Sequence, residues 1–125
     1  MNYYIGLRDR TGKIDVSSIV KQHVKSYAEV IGFYTNEDGT SYKENSIVVS
    51  GLPLSTIKQI LRDSNQECVL GVDDNNDCYF IDADGNYCTI HSFNSVGKLV
   101  TTDKQPVGLD YTYDGSFFYY ISDKE

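Results

Sequence analysis

The stretch GLDYTYDGSFFYY, residues 108–120, predicts two β-strands joined by a tight turn. Tyr, Thr and Phe, which are common in strands, lie on both sides of Asp114-Gly115. Asp accepts backbone hydrogen bonds at the start of a turn, and Gly tolerates the positive φ angle at its end. The stretch is therefore typical of a β-hairpin and favours a sheet with antiparallel strands.

The same turn chemistry recurs along the chain. It is found as Asp-Arg-Thr-Gly at 9–12, Asn-Glu-Asp-Gly at 36–39 and Asp-Ala-Asp-Gly at 82–85. The third copy lies between CYFID and YCTIHSF, two runs of strand-forming residues, and predicts a second hairpin with a one-residue bulge. These turns separate short strands throughout the chain.

Two segments have helical periodicity instead. Apolar residues recur at helical spacing from Val20 to Ile31, which predicts a helix over about residues 17–29. Ile57, Ile60 and Leu61 predict a second helix over about residues 55–63. We expect an α+β fold in a single domain, residues 1–125: a largely antiparallel twisted sheet of about six to nine strands with two short helices on one face. A crossover from Ile47 to Val72 would add one parallel pair of strands.

The composition places the protein among ordinary globular domains. A chain of 125 residues is long enough for one apolar core. It has no basic region followed by an apolar run at its start, and no apolar stretch of about 18 residues, so we expect a cytoplasmic protein. Cys68, Cys78 and Cys88 lack zinc-binding spacing and are expected to be free thiols.

The charge is distributed unevenly along the chain. The net charge is −7, yet residues 1–62 hold eight Lys/Arg and six Asp/Glu, whereas residues 63–125 hold three Lys/Arg and twelve Asp/Glu. No basic residue lies between Arg62 and Lys98. Phosphate binding requires Lys and Arg, so the second half is a poor surface for nucleic acid or an anionic membrane. It favours a cationic partner or a metal.

A calcium loop is the metal site to consider. Asp73, Asn75, Asp77 and Asp84 have positions 1, 3, 5 and 12 of an EF-hand-like spacing. Position 6, however, is Cys78 where the sharp turn requires Gly, and no helices flank the segment. We therefore expect neither a metal site nor any other cofactor.

Nucleophilic catalysis has few candidates. Only His23 and His91 could act as an imidazole base, and Cys88 and His91 would project from opposite faces of a strand. No Gly-rich phosphate loop, nucleophile elbow or metalloprotease motif is present. We expect no catalytic residue and no enzymatic activity, although paired carboxylates could escape recognition.

The acidic turns and the tyrosines between them form the predicted partner-binding surface. Carboxylates pair with Arg and Lys, and Tyr is a rigid anchor at interfaces. The residues of this surface are Asp73, Asp74, Asp77, Asp82, Asp84, Tyr79, Tyr87, Asp110, Asp114, Tyr111 and Tyr113. The leading hypothesis is a small acidic non-catalytic binding or inhibitor protein of the immunity, anti-defence or nucleic-acid-mimic type. It would cover a basic surface of a partner protein, such as a nucleic-acid-handling enzyme, without binding nucleic acid or membrane itself.

Two alternatives remain open. The first is a small-molecule or nucleotide-binding module, in which Gly6, Gly32, Gly71 and Gly108 allow a ligand to approach the strands closely. A cavity lined by Tyr and Arg would distinguish it. The second is a hydrolase that uses paired carboxylates and a divalent ion, with Asp or Glu side chains converging within about 4 Å of one point.

Overall fold

The computed structural model describes residues 1–7, 13–35, 38–66, 68–83 and 97–122. These residues form eight β-strands and two α-helices. In chain order the elements are β1 (Asn2–Gly6), α1 (Val16–His23), β2 (Ala28–Thr35), β3 (Ser41–Ser50), α2 (Leu54–Asp63), β4 (Val69–Val72), β5 (Asp77–Ile81), β6 (Gly97–Thr102), β7 (Tyr111–Tyr113) and β8 (Phe118–Ser122).

The strands close into a barrel. Their order is β1-β3-β2-β7-β8-β6-β5-β4, and β4 pairs with β1 to complete the ring. Each of these pairings is antiparallel. The predicted antiparallel sheet with two short helices is thus confirmed, whereas its closure was not predicted. The parallel pair that a crossover from Ile47 to Val72 would create is not formed by β3 and β4, because β1 lies between them and pairs with both.

The first helix is shorter than predicted. Asp15 caps α1 by accepting hydrogen bonds from the backbone N–H of Ser18 at 3.2 Å and from its hydroxyl at 2.7 Å. The chain leaves the helix at Val24, which has an extended backbone, and β2 begins at Ala28. Since β2 pairs with β3 over its whole length, strand pairing overrides the helical spacing that suggested a helix to residue 29. The second helix agrees closely with its prediction.

The main apolar core lies outside the barrel. It fills the space between the two helices and the outer surfaces of β1, β3, β4 and β5. The strands contribute Tyr3, Ile5, Ile47, Val49, Val69 and Ile81, and the helical side contributes Val16, Val20, Val24, Ile57, Ile60 and Leu61. Because successive strand residues face opposite sides of a sheet, the neighbours of these strand residues face the barrel interior.

The hairpin predicted at Asp114-Gly115 is confirmed. It joins β7 to β8, and Gly115 has a φ of 99°. The Asp114 carboxylate accepts hydrogen bonds from the N–H groups of Ser116 and Phe117 at 2.8 and 2.7 Å. The hairpin predicted at Asp84-Gly85 lies outside the described residues. In the described ranges, no helix has the length and apolar character needed to cross a membrane.

Candidate functional site

The barrel interior contains a cavity of about 590 Å³. This volume falls in the range of about 300–1,000 Å³ that is usual for small-molecule sites. Barrels of eight strands are wide enough either to be filled by side chains or to hold one small ligand. Since the apolar core lies outside this barrel, its interior has room for a ligand.

Tyrosine side chains form much of the cavity wall. Tyr34 on β2 and Tyr42 on β3 are direct cross-strand partners, and their rings stack with centroids 5.3 Å apart. Tyr4 of β1 and Tyr119 of β8 line other parts of the wall. The face of an aromatic ring attracts cations, so such a wall favours a positively charged ligand.

Glu44 contributes a carboxylate to the same cavity. It is half-buried and lies opposite Gly32 in the pairing of β2 with β3. A Cβ atom on Gly6 would lie only 2.9 Å from Cδ of Glu44, and one on Gly32 would lie 2.6 Å from the Tyr34 hydroxyl. Glycines at these two positions therefore leave the space that the two polar side chains occupy.

The environment raises the pKa values of two cavity phenols, Tyr4 and Tyr34. Burial, followed by the negative charge of Glu44, raises the pKa of Tyr34 to about 12. Burial is also the main reason why the pKa of Tyr4 is raised. At neutral pH these two hydroxyls are neutral hydrogen-bonding groups, and the carboxylate of Glu44 supplies negative charge next to Tyr34.

Two further polar residues are held at the cavity wall. Asp110 accepts a hydrogen bond from the backbone N–H of Thr35 at 3.0 Å, which ties the end of β2 to the segment before β7. Gln66 donates its side-chain N–H to the Ser64 hydroxyl at 3.1 Å, and Ser64 donates to the carbonyl of Ile60 at 2.6 Å. The Gln66 amide is thereby oriented by the C-terminal end of α2.

The acidic loop before β5 is held by internal hydrogen bonds. Asp73 accepts the backbone N–H groups of Asn75 and Asp77, both at 2.9 Å, and the Tyr79 hydroxyl at 3.3 Å. Asp77 pairs with Lys98 at 3.1 Å. Asp73, Asp77 and Asp82 are half-buried, although exposure was expected, whereas Asp74 is exposed as expected.

The remaining members of the predicted partner surface lie in different places. Asp110 and Asp114 are exposed, and Asp110 belongs to the cavity wall. The ring of Tyr111 stacks on that of Phe33 with centroids 4.7 Å apart, and that of Tyr113 on Phe118 at 4.6 Å. Asp84 and Tyr87 lie outside the described residues. The role of this surface in binding a basic partner stays a prediction.

Of the candidate nucleophiles, Cys68 lines the cavity that also contains Glu44. Among the residues that the structure describes, no group of three or more His, Cys, Asp or Glu side chains is placed to hold a metal ion. Burial raises the pKa of the Cys78 thiol to about 11, so it remains a thiol at neutral pH. His23 lies 3.8 Å from Asp63, a residue of α2. Cys88 and His91 lie outside the described residues.

The residues of the cavity that were not predicted from the sequence include Tyr4, Tyr34, Tyr42, Glu44 and Gln66. The available signal was the set of mid-strand glycines, because Gly6 and Gly32 are the two that accommodate Glu44 and Tyr34. A cavity lined by Tyr and Arg would distinguish the small-molecule alternative. The cavity observed is lined by Tyr, and no Arg is among the described residues that line it.

A comparison with protein families identifies the family of this chain. The model of the S-adenosylmethionine lyase family matches residues 9–122, which is most of the sequence. The chain belongs to the S-adenosylmethionine lyase family. No curated protein and no solved structure shows significant similarity to it.

Membership of the S-adenosylmethionine lyase family corrects the functional prediction. A family of lyases points to an enzyme, so the hypothesis of a non-catalytic binding or inhibitor protein is wrong, as is the expectation of no enzymatic activity. The sequence contains no motif for a nucleophile, a metal site or a phosphate loop, and those are the signals by which an enzyme is usually recognised. A cavity lined by tyrosines and by the carboxylates of Glu44 and Asp110 has no comparable sequence motif.

Proposed function

We propose that this protein cleaves S-adenosylmethionine inside the barrel. The observation that carries the proposal is the position of Glu44, a carboxylate in a cavity lined by tyrosines. The family match over residues 9–122 names the substrate class. The volume of the cavity, about 590 Å³, suits a ligand of that size class.

The charges of the substrate are complementary to the cavity. S-adenosylmethionine carries a sulfonium and an α-ammonium group, both positive, and one carboxylate. Aromatic faces and a carboxylate stabilise positive charge. Tyr34, Tyr42 and Glu44 together provide both kinds of group on the β2–β3 wall.

Ring closure within the substrate is the reaction that this cavity favours. An oxygen of the substrate carboxylate attacks Cγ and forms an O–Cγ bond, while the Cγ–S bond breaks. The bonding pair stays on sulfur, which gives neutral methylthioadenosine and homoserine lactone. No proton is transferred in this step. Tyr4 and Tyr34 have raised pKa values and stay protonated at neutral pH, so neither offers a phenolate base, and a step without proton transfer fits them.

The protein would contribute orientation and a water-poor environment. Bringing the carboxylate oxygen within reach of Cγ converts a flexible chain into a near-attack geometry. The attack also cancels opposite charges, and this is favoured where few waters solvate them. Glu44 would hold a positive group of the substrate while the tyrosine rings surround the remainder.

The test combines product analysis with one matched pair of variants. The purified protein is incubated with S-adenosylmethionine, and the products are identified by mass spectrometry. Glu44→Gln should lower kcat/KM by about 100-fold, since it removes the charge that faces the substrate. Glu29→Gln is the control, because Glu29 is exposed on β2. Absence of turnover by the wild-type protein, or equal activity of the two variants, would contradict the proposal.

The nature of the step is tested separately with labelled substrate. Substrate deuterated at Cβ should react at the same rate as unlabelled substrate, and homoserine lactone should be the first product. A primary isotope effect, together with an unsaturated amino acid as product, would show that a base removes a proton from Cβ instead.

A further inference from the structure

The carboxylate of Asp114 lies outside the cavity and contacts Tyr119, one of the residues that line it. Asp114 is exposed at the turn between β7 and β8, and its Oδ2 accepts a hydrogen bond from the hydroxyl of Tyr119 at 2.7 Å. Its Oδ1 accepts the backbone N–H groups of Ser116 and Phe117. These three donors fix the orientation of the carboxylate, and Tyr119 carries its influence to the cavity wall.

This hydrogen bond determines whether the Tyr119 hydroxyl can donate to a ligand or only accept from it. A phenol has one proton to donate, and here Asp114 accepts it, so only lone pairs of the oxygen remain for a ligand. Hydrogen bonds to ionised groups are short and strong, and they increase the electron density on the donor oxygen. The bond from Tyr119 to Asp114 is the main reason why the pKa of Tyr119 is raised to about 12.

The two carboxylates act on different tyrosines. The negative charge of Glu44 contributes to the raised pKa of Tyr34. That of Asp114 contributes to the raised pKa values of Tyr4 and Tyr119. Negative charge therefore lies near the cavity wall on the β2–β3 side, where Asp110 also contributes to the raised pKa of Tyr34, and near the tyrosines of β1 and β8.

We propose that Asp114 is a positioning residue for Tyr119. By accepting the hydrogen bond of the Tyr119 hydroxyl, it leaves the Tyr119 oxygen as an electron-rich acceptor in the cavity. Glu44 and Tyr119 would each face one of the two positive charges of S-adenosylmethionine. This inference rests on the proposed function, because it assumes that substrate. Asp114 acts on the substrate through the Tyr119 hydroxyl and does not touch the substrate.

A double-mutant cycle tests whether the two residues act as one unit. Asp114→Asn preserves an oxygen for the turn but presents an N–H to Tyr119, which reverses the hydrogen bond. Tyr119→Phe removes the hydroxyl. We expect each variant to lower kcat/KM for S-adenosylmethionine by about tenfold, the change that corresponds to about 1.4 kcal/mol. The double variant should be no worse than Tyr119→Phe alone, since Asp114 then has nothing to orient.

Neutral methylthioadenosine is the second probe in the same experiment. It lacks both positive groups, so its inhibition constant should stay within about twofold of the wild-type value in all three variants. Glu29→Gln is again the control, since it removes one exposed carboxylate elsewhere and should leave both measurements unchanged.

Two results would overturn the inference while leaving the proposed function intact. One is an equal loss of affinity for methylthioadenosine, which would mean that the pair only supports the local structure. The other is a double variant whose loss is the product of the single losses. A wild-type protein that does not cleave S-adenosylmethionine would instead overturn the proposed function, and this inference with it.

Discussion

The carboxylate of Glu44 lies over the backbone of Gly6, in the space that the Cβ atom of any other residue would occupy. The two residues are on adjacent strands, β3 and β1, and Gly6 itself pairs with Ser46. A glycine inside a strand weakens the strand, so its presence here indicates that the space above it is needed. That space is occupied by the carboxylate that we assign to substrate binding.

Gly6→Ala should therefore reduce activity more than stability. The added methyl group would displace the Glu44 carboxylate, and we expect kcat/KM for S-adenosylmethionine to fall by roughly tenfold or more, because a displacement of about 1 Å can cost about 100-fold. Gly71→Ala is the matched control, since its methyl would press on Met1 and Ile81 away from Glu44. A Gly6→Ala enzyme with normal kinetics would show that the position of Glu44 is unimportant.

Alkaline pH should destabilise the protein through Tyr34 and Tyr119. In the folded protein the pKa of each is raised to about 12, whereas the ordinary phenol value is 10.0. This contribution to stability is fully present below pH 10. It is lost as the pH rises from 10 to 12, because the unfolded phenols ionise first. Urea midpoints measured from pH 9 to 12 should fall less steeply in the Tyr34→Phe, Tyr119→Phe double variant than in the wild type or Tyr120→Phe.

Asp73 and Asp74 are neighbours that should respond differently to substitution. Asp73→Ala removes the acceptor of three hydrogen bonds that hold the loop before β5, and we expect a loss of about 1–3 kcal/mol in the free energy of unfolding. Asp74→Ala changes an exposed side chain and should stay within about 0.5 kcal/mol. Chemical denaturation measures both, and equal effects would contradict the structural role of Asp73.

Ile60→Ala should lower stability without changing substrate affinity. Ile60 is fully buried between α2 and the outer surface of the barrel, so truncation leaves a void that costs about 2–5 kcal/mol. The cavity lies on the other side of the sheet, and KM should remain within about twofold at temperatures where the variant is folded. Measuring thermal unfolding and KM on the same preparation separates the two effects.

Much of the fold could be predicted because its signals are local. The turn at Asp114-Gly115 and the helix that begins near residue 54 both depend on a few neighbouring residues. Barrel closure depends instead on the pairing of β1 with β4, which no local pattern specifies. The end of α1 was also missed, because the pairing of β2 with β3 overrides the helical spacing of the residues after Val24.

The site could not be predicted because it depends on strand register. In SYKENSIVVS, residues 41–50, the sequence alone does not say that Glu44 faces a cavity or that Gly32 lies opposite it. The acidic residues of the second half attracted attention because they are numerous. The structure shows that Asp73 and Asp114 are engaged by backbone N–H groups of their own turns, which accounts for part of that negative charge without a partner.

The position of the apolar core outside the barrel leaves the interior open to redesign. In most small domains the residues that hold the fold together also fill its centre, so altering a binding site threatens folding. Here Ile5 and Ile47 pack towards the helices, while Tyr4 and Ser46, their neighbours along the same strands, line the cavity. A library varied at cavity-facing positions alone could thus explore other sulfonium or ammonium ligands, with the helix-covered side kept constant as the framework that preserves solubility and yield.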